Sequence, residues 1–305
     1  MNKTDKVTGK SGFHRFHVEN LELTVVTDGS IVFDPKQPIL APGVREEEVN
    51  EVLRNSFLPT DHVTISMNVL VIRSHDRVVL IDTGAGHNMG DGSGWLMGNL
   101  AIAGINPEDV TDVVLTHAHS DHIGGVVRED GTLSFPNADV YMTKTEHDFW
   151  TGGTVDFSKS KLSDQKWFID FSLDIIEKAK KALGERLRLV ESDAALFGFL
   201  NLIPAPGHTP GHVAMQIVSE GEMLFHLGDV VHTHVILFEH PEWGFEADSD
   251  FEQGVATRQS LLNTLTDSRQ RIFSFHLPWP GLGHVRRAGK SFEWVGESFT
   301  GFSAN

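Results

Sequence analysis

The sequence contains no cysteine, which excludes disulfides, thiolate nucleophiles and cysteine-ligated metals. Tyrosine occurs once, at Tyr141. Positive charge is scarce, with 25 Lys and Arg against 42 Asp and Glu, giving a formal charge of −17 over 305 residues. Such a field repels phosphate backbones and argues against a nucleic-acid partner. No apolar run approaches the roughly 18 uncharged residues of a membrane span, so no membrane partner is expected. The uncharged stretch from Ala194 to Ser219 carries three prolines and two histidines and does not qualify. What the chain has in excess is histidine, 17 in all.

Residues 1–20 read as a polar leader outside the fold, without the apolar core of a signal peptide. Residues 21–305 read as one domain. The expected compartment is the cytoplasm for the sequence as it stands, or the periplasm or cell exterior had a leader been removed. Strand-like runs lie at Leu21–Thr27 and Ile31–Phe33 with an Asp28-Gly29 turn signal between them, then at Ile65–Ile72, Val78–Ile81 and Val113–Thr116. Later ones lie at Leu187–Val190, Phe199–Ile203, Val213–Val218, Met223–Leu227 and Arg271–Phe275, the last followed by a Pro/Gly-rich tail. Helical patterns cover Val44–Arg54 and Leu173–Leu183, and an apolar segment runs from Trp95 to Ala103. A capping box of Ser249 with Glu252 opens one more helix, running to about Thr266. Strands, a helix, then strands, twice over, suggest two similar halves packed sheet to sheet.

Chemistry concentrates in Thr116-His117-Ala118-His119-Ser120-Asp121-His122, directly after a strand. In extended backbone alternate residues share a face, so His117 and His119 can present both imidazoles to one ion. Asp121 and His122 then fall where the chain turns into a helix, toward a second ion. Neutral imidazole and carboxylate suit zinc and related divalent metals. One loop cannot supply every ligand, and His208, Asp229 and His276 each follow a β run elsewhere. Each can therefore sit at a strand's C-terminal edge, where α/β sites gather.

In residue types, order and spacing this set resembles the metallo-β-lactamase superfamily. The resemblance implies an α/β fold, the αββα four-layer sandwich of two mixed sheets with helices on the outer faces. It implies two divalent ions, zinc first, with manganese, iron, cobalt and nickel open. His117, His119 and His208 would hold one metal and Asp121, His122 and His276 the other, with Asp229 between them. Asp82, in Asp82-Thr83-Gly84, would stand behind a ligand rather than on a metal.

The segments Phe225-His226-Leu227-Gly228-Asp229 and His276-Leu277-Pro278-Trp279-Pro280 are similar to methyl parathion hydrolase and its lactonase-like relatives. That resemblance implies metal-dependent hydrolysis of a neutral small-molecule ester: a lactone, an aryl ester or an organophosphate triester. Asp229 and Asp121 would be catalytic, Asp121 by passing a proton to the leaving group. Trp150 and Phe168 would line the substrate, and His226 and His232 are further substrate-side candidates. Typical quorum-quenching lactonases carry a tyrosine where this chain has His232. Three alternatives stay open: a glutathione-thioester hydrolase anchored by Arg286, Arg287 and Lys290, a mononuclear-iron sulfur dioxygenase, and a non-catalytic metal-binding domain. A homodimer stays open as well.

Overall fold

Along Val63–Arg73 almost every central side chain is buried, and alternate residues enter different cores. Val69 and Val71 join one; Leu70 and Ile72 join another. A strand buried on both faces belongs inside a layered fold. The same division recurs in the second half, where Met215 and Ile217 face one core and Ala214 the other.

The computed structural model describes residues 12–162 and 164–298. The first sheet runs β1 (Phe13–Val18), β2 (Leu21–Phe33), β3 (Val63–Arg73), β4 (Val78–Ile81), β5 (Asp112–Val114), β6 (Asp139–Thr143) and β7 (Leu187–Val190), neighbours in that order. The second contains β8 (Ala195–Leu196), β9 (Leu200–Pro204), β10 (Val213–Ser219), β11 (Glu222–His226), β12 (Arg271–Phe273), β13 (Leu282–Ala288) and β14 (Ser291–Gly296), likewise in sequence order. Both sheets are mixed: β4 to β7 pair in parallel, as do β11 and β12, while the rest pair antiparallel. The helices are α1 (Glu46–Asn55), α2 (Leu96–Ile102), α3 (Ser120–Ile123), α4 (Lys144–Thr151), α5 (Gln165–Leu183), α6 (Ile236–Glu239) and α7 (Phe251–Ser268).

Three apolar layers hold these elements. Leu96 and Leu100 of α2 and Ile176 and Ala179 of α5 pack behind the first sheet. Leu23, Val25 and Ile81 meet Leu202, Met215 and Phe273 between the sheets. Leu53, Phe238 and Leu262, from α1, α6 and α7, cover the second sheet. The result is the expected αββα sandwich. Among the described residues no helix is long and apolar enough to cross a membrane.

Several expectations need correction. Residues Phe13–Val18 of the expected leader form β1, paired with β2; residues 1–11 lie outside the described residues. Asp28-Gly29 is not a turn but a bulge within the single strand β2. Gly29 has φ +118°, and a Cβ there would stand 2.0 Å from the Gly92 carbonyl oxygen. The bulge turns Asp28 inward, where its carboxylate accepts from the Ala85 and Leu96 amides at 2.8 and 2.9 Å. Helix α5 begins at Gln165, not Leu173, with Asp164 accepting from the Trp167 amide. The cap of α7 is Asp250, one residue past Ser249, whose hydroxyl instead donates to the Gly207 carbonyl. The Pro/Gly-rich tail contains the β13–β14 hairpin, anchored by buried Val285 and Phe292.

Candidate metal centre

Strand β5 lies between β4 and β6, so the residues after it emerge at a shared C-terminal edge. Asp82, at the end of β4, accepts from the Thr116 amide at 2.8 Å and its hydroxyl at 2.9 Å. This fixes the start of the histidine segment. The backbone is extended at His119 and helical from Ser120, which separates the first two histidines from Asp121 and His122.

The second half contributes through three strand ends. His208 follows β9 in a Gly-rich loop whose glycines allow two close approaches. A Cβ on Gly211 would stand 2.2 Å from the Glu146 amide nitrogen, and one on Gly207, at φ +128°, 2.2 Å from that of Gly254. Asp229 follows β11 and His276 follows β12.

All seven candidate ligands converge. His117, His119 and His208 offer ligand atoms within 4.8 Å of one another, and so do Asp121, His122, Asp229 and His276. Asp229 lies between the groups. Its Oδ2 is 3.1 Å from His276 Nε2 and 3.4 Å from His208 Nε2, while Oδ1 is 3.3 Å from His122 Nε2. His232 makes a third group with His208 and Asp229.

Hydrogen bonds behind the rings decide which nitrogen faces inward. His122 Nδ1 meets Asp82 at 2.9 Å, His208 Nδ1 meets Asp248 at 2.8 Å and His276 Nδ1 donates to the Ser66 carbonyl at 2.8 Å. Each leaves Nε2 directed into the cluster. Such partners fix both tautomer and orientation in metal sites. His119 differs, turning Nδ1 to within 2.8 Å of His208 Nε2.

The electrostatics suit cations. Burial and neighbouring imidazoles push His117 and His119 well below the ordinary imidazole range, which keeps them neutral. Burial opposes a charge on His208, but Asp229 and Asp248 raise it to about 9. Burial opposes one on His276 too, where Asp229 and Asp121 raise it to about 9. Burial would also raise Asp121 and Asp229, yet His122 and His276 hold both low. The carboxylates thus demand positive charge, which protons or metal ions can meet. His117 Nε2, His122 Nε2 and Asp229 Oδ1 are buried without hydrogen-bond partners, as atoms reserved for coordination would be. A dinuclear divalent site fits this donor set.

Three supporting residues were not legible in the sequence. Glu146 accepts from the Ala118 amide and the Trp150 indole on one oxygen, and from the Thr209 hydroxyl and Gly211 amide on the other. It therefore ties the His117–His119 segment to the His208 loop. Buried Arg258 bonds Asp248 and the carbonyls of Val230 and Pro241. His212 donates through Nδ1 to the Ala205 carbonyl and accepts the Asp229 amide on Nε2 at 3.0 Å.

The substrate-side candidates divide. Phe168 is half-buried, edge-on to His119 with centroids 5.2 Å apart. His232 stacks on Phe245 at 4.1 Å and makes no hydrogen bond with either ring nitrogen. His226 lies beneath the site: its Nδ1 accepts the Gly228 amide, its ring packs on Phe273, and burial lowers it to about 4. Trp150 is only 2% exposed and packs with Phe149 and Phe157, its indole N–H engaged by Glu146. It is a wall behind His119, not an open surface for substrate. Trp150→Ala is therefore expected to lower stability by about 3–5 kcal/mol, read by denaturant unfolding, rather than to raise KM alone. Arg286 pairs with Glu293 on the exposed hairpin, and Arg287 covers Phe292 and bonds Asn263.

A family model described as the metallo-beta-lactamase superfamily matches residues 65–288. A curated protein of Mycobacterium tuberculosis, described as a probable metallo-hydrolase, is 25% identical over 263 residues, 77% of this chain and 76% of its own. Among solved structures, AidC, described as a dizinc quorum-quenching lactonase in complex with a homoserine product, superimposes with TM-score 0.89 at 36% identity, covering 95% of this chain and 99% of its own. The hydrolase AbOPH gives TM-score 0.86 at 30% identity, covering 96% and 100%.

Proposed function

Because the chain belongs to the metallo-β-lactamase superfamily, we propose that it hydrolyses neutral esters, lactones foremost, with two divalent cations, zinc first, as cofactors. One observation carries this reading: two ligand groups share Asp229 at the edge of both sheets. The likeness to a dizinc lactonase at 36% identity supports both the metal pair and the substrate class.

His117, His119 and His208 would hold one ion, Asp121, His122 and His276 the other, and Asp229 would touch both. Bound there, the ions would polarise the carbonyl oxygen and acidify water. Asp82 and Asp248 hold the His122 and His208 rings, and His212 holds the Asp229 backbone. Asp121 has 12% of its side chain exposed against 3% for Asp229. Held ionised, it would be the carboxylate that takes a proton from the attacking water and passes it to the departing oxygen. Phe168, edge-on to His119, and His232, with its ring centroid 5.1 Å from that of His208, would be the side chains that meet the substrate.

Elemental analysis and a hydrolysis panel test this. Two divalent ions per chain are expected, with lactones turned over faster than aryl esters and phosphotriesters. Fastest turnover of glutathione thioesters, a single iron, or no hydrolysis by the di-metal protein would overturn it.

A further inference from the structure

One histidine of the cluster has ligand chemistry that the two metal positions leave unspent. The chain bends through Gly228–Val230 and extends again at Val231, which returns His232 to the side of Asp229. The residue is 1% exposed. Among the described residues it is the one buried histidine with neither ring nitrogen hydrogen-bonded. Native folds seldom leave a buried polar group so. Its neighbours behave otherwise: His122, His208 and His276 each spend Nδ1 on a backing group, and His212 spends both nitrogens. Stacking on Phe245 and His276, with 18° and 22° between the planes, sets the plane of the His232 ring.

His232 Nε2 stands 3.4 Å from Asp229 Oδ2, and His208 Nε2 stands 3.4 Å from the same oxygen. Ligand atoms about 2.0–2.2 Å from a tetrahedral ion are about 3.3–3.6 Å from one another, so both separations suit donors to one ion. His117 Nε2, 3.8 Å from that oxygen, is less well placed beside it. We propose that His208, Asp229 and His232 form a third cation position, for zinc or another divalent ion of its class. It is filled in place of the position at His117, His119 and His208, not in addition to it. The proposal rests on the di-metal reading. The two positions exclude each other because His208 has one inward nitrogen, Nε2, whose lone pair serves one ion. His119 Nδ1, 2.8 Å from that nitrogen, belongs to the competing position. The third position lies on the accessible side. His232 lines a cavity that also reaches Trp279, 41% exposed, whereas His117 is wholly buried. From the cavity His232 is therefore met before His117, and its ring is left for the substrate whenever the first position is the one filled.

Counting ions tests this without any reaction. Metal-free wild type, His119→Leu, His232→Leu and the double variant are each incubated with excess cobalt(II) and passed through gel filtration. Each is then analysed for metal content and visible absorption. Two ions are expected in wild type and in His232→Leu. His119→Leu, which disables the first position, should still retain two. Its cobalt spectrum should change, because one ion has exchanged three imidazoles for two imidazoles and a carboxylate. The double variant should retain one ion and lose the changed band. His117→Leu makes the same test should His119→Leu fail to keep the wild-type melting temperature. One ion in His119→Leu, or two in the double variant, would overturn the third position while leaving the di-metal reading intact. One ion or none in wild type would sink that reading and this proposal with it. The expected counts in a protein that hydrolyses no ester would uphold the position and sink the hydrolase reading alone.

Discussion

Exchanging Asp229 for asparagine is expected to lower kcat/KM by more than about 100-fold, beyond the usual range for loss of a group that only supports a ligand. The reason is its position. One carboxylate lies within 3.1–3.4 Å of imidazole nitrogens of His276, His122, His208 and His232. Its removal withdraws the counter-charge from both ligand groups at once. Metal content should fall from two ions to one or fewer, read by elemental analysis after gel filtration. Asp82→Asn, which disturbs only His122 and Thr116 from behind, is the control and should cost about 10–100-fold. Equal losses in the two variants would contradict the shared position of Asp229.

The second large effect is expected at a residue that touches no ligand. Glu146 is fully buried, and burial raises its pKa against the Thr209, Ala118 and Trp150 donors and the charge of His208, which favour the ionised form. Replacing it with alanine leaves the Ala118 and Gly211 amides, the Thr209 hydroxyl and the Trp150 indole without their acceptor. Each such loss costs about 1–3 kcal/mol, so Glu146→Ala should destabilise the metal-free protein by at least about 4 kcal/mol in urea. Glu146→Gln keeps one acceptor oxygen but turns an NH2 toward two donors, and should fall between. Because Glu146 joins the two loops carrying His117, His119 and His208, chelator titration of Glu146→Gln should strip one ion more readily than the other. Uniform weakening of both ions would mean that its role is stability alone.

The contrast between these residues shows what a sequence can disclose. His117 to His122 is legible because coordination chemistry confines its ligands to a few adjacent positions at a strand end. His208, Asp229 and His276 become legible once that segment is in hand, because each follows a β run. Glu146 has no such signature. Apart from Trp150, one turn on, its donors lie 28 to 65 residues away, and no local pattern marks a carboxylate that will be buried by partners so remote. Asp28 misleads for a related reason. Asp-Gly is strong turn chemistry, but Gly29 relieves a bulge, and the bulge turns Asp28 onto the Gly84–Gly94 loop. The β13–β14 hairpin hides behind the Pro278 and Pro280 stretch that precedes it, and few residues, Val285 and Phe292 among them, betray its buried face. Trp150 misleads too, because an aromatic cluster looks the same in sequence whether it lines a cleft or a core.

The strap between the halves bears on how the protein matures. His276 Nδ1 reaches the Ser66 carbonyl across 210 positions of chain, and Asn68 donates to the Leu277 carbonyl across 209. On the ribosome, at about 5–20 residues per second, the His117–His122 segment emerges seconds to tens of seconds before His276 exists. During that interval the nascent chain exposes histidines whose intended companions have not been made. Stray ions caught then would be held by too few ligands and in the wrong geometry. Correct loading must therefore wait for His276 to emerge and for the second sheet to close, so the rate of ion uptake by a refolding chain is a clock for its slowest long-range docking step.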